Sequence, residues 1–290
     1  MANYYYAYSG HKYGLDRVKR AVTLIKLLKT EGIETNLLVN DFRAGLAAKE
    51  LGVEDSVTVE TIMDVDVMAE RGDAVFLDTP EDDRGRVESY SAEYTPLFCV
   101  SDTCDAQSLY GEIMLKPSCE EDENCISSLI IDPEYFEILP KEDRTLFFLN
   151  DADYDKEVLR HSDFFEGLGM ELLLGHYFFV KYEDDLAKIF DVLHEPEEYS
   201  ELIRTSSRVV TASAQCALEA RAAEADVIYM REESDSLCLM EQFKAFGIKI
   251  IDGFDKKSLE EMISTQTAGD KKVTNQSHII VSKVINKLNL

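Results

Sequence analysis

Basic residues are scarce in this chain. Its 290 residues include 30 Lys and Arg against 57 Asp and Glu, a formal charge of −27. That average field repels a phosphate backbone or an anionic leaflet, which sets nucleic acid and membrane surfaces aside as main partners. A basic protein partner and a small anionic ligand held by helix amides both stay compatible with it. The chain also lacks any run of the ~20 apolar residues that a membrane helix needs. Met1–Gly10 (MANYYYAYSG) has neither the basic start nor the apolar stretch of a secretory signal. The expected location is the cytoplasm.

Several chemical signatures are missing as well. No G-x-S-x-G elbow supports serine–histidine–acid catalysis, and no Walker loop is present. No G-x-G-x-x-G follows a strand, which argues against a Rossmann dehydrogenase. No cofactor is therefore expected. The six cysteines (Cys99, Cys104, Cys119, Cys125, Cys216 and Cys238) include no C-x-x-C pair. Their spacing argues against a zinc site, and in a reducing compartment they are expected as free thiols, with no metal bound.

What is present is core material in a regular order. Apolar residues make up 45% and charged residues 30% of the chain, which suits packed α/β cores rather than disorder. Tyr4 to Tyr8 reads as a strand. From Asp16, apolar residues recur at Val18, Ala21, Val22, Ile25 and Leu28, a helical period that Gly32 ends. Ile33 to Val39 then reads as a second strand, completing a βαβ unit with a right-handed crossover as its default. Further strands are predicted near Ser56, Asp73, Pro96 and Ile113, with helices over 43–51 and 61–70. Cys119 to Asn124 (CEEDEN) reads as an acidic loop, and 133–144 as a connecting region.

The pattern restarts at Thr145–Leu149, followed by a helix over 156–168, a strand within 171–179 and a helix over 183–192. A helix over 197–205 leads to the strand Arg208–Thr211 and a helix over 215–223. The strands Val227–Met230 and Ile248–Ile251 and the helices 237–246, 256–263 and 276–288 complete the chain. Alternating elements predict doubly wound sheets. The expected architecture is α/β and GT-B-like, with two Rossmann-like lobes, 1–140 and 141–290, facing across a cleft.

Several motifs add detail. The turn into the first long helix is Gly14-Leu15-Asp16-Arg17-Val18-Lys19-Arg20. The strand DAVFL ends at Asp78, and Ser101-Asp102 follows the strand LFCV. The second lobe's first strand runs into Asn150-Asp151-Ala152-Asp153. Val209 to Ala220 reads as strand, small-residue turn and helix, with Ser213 at the turn and Glu219 one turn inside the helix. On these residues the chain resembles the nucleotide-sugar hydrolases of the pseudaminic-acid pathway, which cleave UDP from a diacetamido-trideoxy sugar. That group includes proteins labelled spore-coat polysaccharide synthesis factors.

The resemblance implies a nucleotide-sugar ligand between the lobes, held by Gly14, Arg17, Arg20, Asp78, Ser213 and Glu219. It also exposes two departures. The family's second glycine is Asp16 and its catalytic histidine is Arg17. An arginine stays protonated near neutral pH and cannot act as a general base, although it can grip phosphate. The family's glycine-rich turn is Asn150 to Asp153 here, where acids crowd the place of a diphosphate. His11 lies upstream as a possible substitute base. Without the resemblance, Asp78 reads equally well as a capping acid. Ser213 then reads as a helix cap and Glu219 as a solvated acid, and Glu232 to Ser236 (EESDS) as a solvated loop. The implied activity is hydrolysis or glycosyl transfer, and the alternative is a catalytically inactive relative that binds a ligand or a protein.

Overall fold

The computed structural model describes residues 1–81, 84–120, 122–265 and 271–289. The chain forms two compact units: 1–10, 17–130 and 276–290 make the first, and 11–16 with 131–275 make the second.

The first unit holds β1 (Asn3–Ala7), α1 (Asp16–Thr30, whose first residue groups with the second unit), β2 (Asn36–Val39), α2 (Phe42–Glu50) and β3 (Ser56–Thr58). α3 (Val65–Met68), β4 (Ala74–Asp78), α4 (Arg86–Glu93), β5 (Leu97–Val100), β6 (Ile113–Lys116) and β7 (Cys125–Ser127) follow. Every strand pairing is parallel, in the order β3-β2-β1-β4-β5-β6-β7. The order reverses between β1 and β4, as in a doubly wound fold. α1 buries Val18, Ala21, Val22, Leu24, Ile25 and Leu28. It ends on Gly32 at φ 79°, with Ile33 N donating to Leu28 O and Gly32 N to Lys29 O, both at 3.0 Å. That left-handed residue satisfies carbonyls the helix would otherwise leave open.

One register feature positions chemistry. Tyr5 lies opposite Phe76, and Phe76 opposite Phe98. Their rings stack at 5.5 and 4.3 Å between centroids. Because alternate residues of a strand share a face, this aromatic row aims the Tyr5 hydroxyl at Asp78, two residues past Phe76.

The second unit contains β8 (Glu142–Phe148), α5 (Glu157–Arg160), α6 (Ser162–Phe165), β9 (Glu171–Leu173), α7 (Val180–Leu186), β10 (Leu193–His194) and α8 (Tyr199–Thr205). It continues through β11 (Ser206–Thr211), α9 (Ala214–Ala222), β12 (Asp226–Arg231), α10 (Leu237–Ala245), β13 (Lys249–Asp252) and α11 (Lys256–Ser264). Its sheet is also parallel, in the order β10-β9-β8-β11-β12-β13, and reverses between β8 and β11. The core gathers Phe147, Phe164, Phe165 and Phe190, with Phe147 and Phe165 meeting edge to face at 4.7 Å. α9 is buried nearly all round, and its small residues Cys216, Ala217 and Ala220 let it lie close to the sheet.

The final helix, α12 (Ser277–Leu288), groups with the first unit. It packs beside β7, burying Ile280, Val281, Val284 and Leu288. The contact-based division therefore differs from a single cut after residue 140. α4 and β7 had no sequence counterpart. α4 opens on Gly85 at φ 80° with no side-chain cap, and β7 is a three-residue strand behind the acidic stretch. Of that stretch, Glu121 lies outside the described residues. The expected helix over 61–70 is a capped 3₁₀ turn, Ile62–Asp64, followed by the single turn of α3.

The expectation of six thiols is corrected. Cys119 and Cys125 form a disulfide, their Cα atoms 6.6 Å apart, because the connection from β6 to its neighbour β7 folds back on itself. Cys104 and Cys238 are likewise not thiols, whereas Cys99 and Cys216 form no disulfide. No helix among the described residues is long and apolar enough to cross a membrane.

Candidate ligand-binding site

The expected site residues divide between the units. Arg17, Arg20 and Asp78 belong to the first, and Gly14, Ser213 and Glu219 to the second.

In the first unit, Asp78 ends β4 at the sheet's reversal point and is 1% exposed. Arg20 grips it with two bonds, Nε to Oδ2 at 3.1 Å and Nη2 to Oδ1 at 2.9 Å. The third nitrogen of that guanidinium donates to Asp102. Tyr5 donates its hydroxyl to Asp78 Oδ2 at 3.1 Å. Arg17 lies alongside, 3.6 Å from Asp78 and 3.7 Å from Asp102. Burial pushes the Asp78 carboxyl up, against the pull of Arg20. Burial would also raise Asp102, but the charges of Arg20 and Arg17 outweigh it and hold that carboxyl below its ordinary range. Asp78 is thus a buried acid held by cations, not an exposed helix cap, and Arg20 spends its planar fork on carboxylates.

In the second unit, Gly14 sits at φ 64°, where a Cβ would stand 2.0 Å from Asn150 Oδ1. Asp16 turns onto the start of α9. It accepts from Ser213 Oγ at 2.7 Å and from Gln215 N at 3.3 Å. Ser213 caps α9 by accepting from Cys216 N at 3.0 Å, as its capping reading required. Glu219 is 2% exposed, so it is not a solvated acid. It accepts from Tyr199 Oη at 2.6 Å and from Gln215 Nε2 at 2.7 Å.

A pocket of about 360 Å³ opens at the carboxyl ends of β8, β11, β12 and β13. Leu149, Asn150 and Asp153 enter from the loop after β8, Ala212 from the turn after β11, Arg231 and Glu232 from the end of β12, and Phe254 from beyond β13. His11 and Lys12 line it from the 11–16 segment. Open α/β sheets hold ligands outside their strand ends, at the point of reversal. Lys12 Nζ lies 5.2 Å from the Tyr154 ring centroid, and Arg231 pairs with Asp252 at 2.9 Å. Burial, and secondarily Asp235, raises the Glu232 carboxyl. Asp153 accepts from the amides of Glu157 and Val158 at 2.7 and 3.1 Å and from the Tyr182 hydroxyl. His11 stacks on Phe179 and tilts against Tyr177, with centroids at 5.6 and 4.8 Å.

One pair escaped the sequence reading. Asp151, 1% exposed, meets His176 Nδ1 at 2.9 Å. His176 comes from the loop after β9. Gly175 lets that loop close in, since a Cβ there would stand 2.5 Å from the backbone carbon and oxygen of Asp151. The available signal was the dipeptide Gly175-His176 just beyond a strand.

No protein-family model matches the chain, and no curated protein matches it in sequence. Solved structures do match its fold. The S. aureus protein MnaA, solved with UDP, gives a TM-score of 0.66 at 12% identity, covering 100% of this chain and 98% of that one. The UDP-GlcNAc 2-epimerase of Methanocaldococcus jannaschii, solved with UDP-GlcNAc and UDP, gives 0.60 at 12% identity, covering 98% and 99%. The spinosyn forosaminyltransferase SpnP gives 0.54 at 11% identity, covering 100% and 95%. At such identities the likeness establishes the fold: α/β, with two Rossmann-like lobes of the GT-B kind.

Proposed function

We propose that this chain binds a nucleotide-activated sugar in the pocket of its second unit, as a GT-B-like relative of UDP-sugar hydrolases. The observation that carries this reading is the pocket's place, at the carboxyl ends of strands beside the β8–β11 reversal. It combines aromatic faces (Tyr154, Phe254) with the cations Lys12 and Arg231. A base, a ribose and a diphosphate need that mixture of flat apolar and cationic surface. The ligands with which two fold neighbours were solved, UDP and UDP-GlcNAc, agree with it.

A second reading, an inactive relative, is favoured by one specific observation. The carboxylates of Asp16 and Asp153 already sit on the first amides of α9 and α5. A phosphate binding at either place has to displace a carboxylate of the protein itself, which weakens binding.

Thermal unfolding with UDP, UDP-N-acetylglucosamine and UDP-glucose tests the proposal. A ligand at 100 times its dissociation constant adds about 2.7 kcal/mol of stability, a rise of several degrees in a protein of this size. No shift with any of the three would remove the nucleotide-sugar assignment.

A further inference from the structure

The charges of the pocket do not suit a purely anionic ligand. Four carboxylates line it, Asp153, Asp155, Glu157 and Glu232, against the cations Lys12 and Arg231. Arg231 is already paired with Asp252. A diphosphate adds further negative charge, and a neutral sugar brings nothing to offset it. We propose that the sugar carries a free amine, so that the ligand is a nucleotide-activated amino sugar whose ammonium is held by Glu232 and Asp155. This inference rests on the ligand assignment above and adds the class of sugar to it.

The four carboxylates are not equivalent. Asp153 accepts from the amides that open α5 and from Tyr182. Glu157 pairs with Arg160 at 2.6 Å and lies 3.3 Å from His161. Glu232 and Asp155, in contrast, make no side-chain hydrogen bond or ion pair among the described residues. Glu232 is also held in place through its backbone. Asp235 accepts from its amide and from the Tyr229 hydroxyl, both at 2.9 Å, which fixes the turn after β12. Partial desolvation, and then the charge of Asp235, disfavour the ionised Glu232 and raise its pKa. A cation beside it would relieve both effects.

The lining is therefore dipolar. Lys12 lies over the Tyr154 ring and pairs with no carboxylate among the described residues, so it is available to the diphosphate. His11, also in the lining, packs on Tyr177 and Phe179. Glu232 and Asp155 are available to a group of opposite sign. An ammonium donates three N–H bonds and accepts none, which matches carboxylates that only accept. Hydrogen bonds between charged partners are the strong ones. A sugar hydroxyl can donate to the same oxygens, but without the charge. Acetylating the amine removes the charge as well. The two free carboxylates thus distinguish sugars that differ in a single substituent.

The test compares the dissociation constants of UDP, UDP-glucosamine, UDP-glucose and UDP-N-acetylglucosamine by calorimetry at about pH 6.5, where an amine of this kind carries its proton. Chelator is present so that no divalent cation contributes. Wild type should bind UDP-glucosamine about 10- to 100-fold more tightly than UDP-glucose or UDP-N-acetylglucosamine, the worth of hydrogen bonds between charged groups. Asp155→Asn should reduce that preference, and Glu232→Gln with Asp155→Asn should abolish it. Lys12→Ala should weaken all four ligands and keep the preference. Equal affinity for the three sugars in wild type, or a preference that survives the double substitution, overturns the assignment and leaves the binding reading intact. A gain for UDP-glucose on adding magnesium, in place of any preference for the amine, also overturns it, since the carboxylates would then serve a metal–diphosphate complex. Absence of binding by all four ligands removes both readings.

Discussion

Tyrosine hydroxyls hold several of the carboxylates that this acidic chain buries or half-buries. Tyr5 donates to Asp78, Tyr6 to Glu81, Tyr199 to Glu219 and Tyr229 to Asp235. With 57 acids and 30 bases, cations cannot pair every buried carboxylate, and a phenol donates without adding charge. Burial, reinforced by these acids, raises the phenol pKa values, so the hydroxyls stay protonated as donors at physiological pH. Tyr199→Phe leaves Glu219 buried with one donor fewer and should cost about 1–3 kcal/mol in urea unfolding. A change within about 0.3 kcal/mol would mean that the remaining partners of Glu219 suffice. Gly175→Ala drives a Cβ into the backbone of Asp151, which cannot yield as a flexible side chain can. The expected loss is about 1–3 kcal/mol, with the His176–Asp151 contact lengthened in a crystal structure of the variant.

At the scale of elements, polar groups sit where helices and strands end. Arg20, on α1, pairs with Asp78 at the tip of β4, so Arg20→Met strands a buried carboxylate and should cost about 3–5 kcal/mol. Arg20→Met with Asp78→Leu should recover much of that loss, and purely additive costs would contradict the pairing. Lys141 donates to Arg204 O, near the C-terminus of α8, at 2.7 Å, and burial lowers its pKa to about 8 against the pull of Glu224. Its folded pKa is below its unfolded one, so the folded chain binds fewer protons between about pH 8 and 10.5. Stability therefore rises with pH across that window, by about 1 kcal/mol once partial exposure is allowed for. Lys141→Met should flatten the rise in urea titrations at about pH 8 and 10.

Most elements were legible because they bury continuous apolar runs or repeat apolar residues every 3.6 positions. The first βαβ unit and the strand–turn–helix around Ser213 needed nothing more. α4 was not legible, since a backbone conformation at Gly85 opens it. The Asp151–His176 pair was hidden because its members lie 25 residues apart and meet through parallel pairing. Arg20, Asp78 and Glu219 could be named from the sequence. That each is already held by a protein side chain could not be, because the partners Asp102, Tyr5 and Tyr199 come from other elements.

For the whole molecule, a charge of −27 and an anionic ligand pull in opposite directions. The long-range field slows the approach of a nucleoside diphosphate, while Lys12 and Arg231 act only at short range. Salt screens the former first, with a Debye length of about 30 Å at 10 mM and 8 Å at 150 mM. The association rate for a UDP-sugar should therefore rise with salt over that interval, whereas binding of a basic protein partner should weaken. Calorimetric titration of UDP-N-acetylglucosamine into wild type and Ala212→Phe tests the central claim most directly. The pocket assignment predicts saturable one-to-one heat for wild type and at least a tenfold weaker affinity once a phenyl ring fills the pocket. Equal affinity for the two proteins, or no heat from wild type, would contradict it.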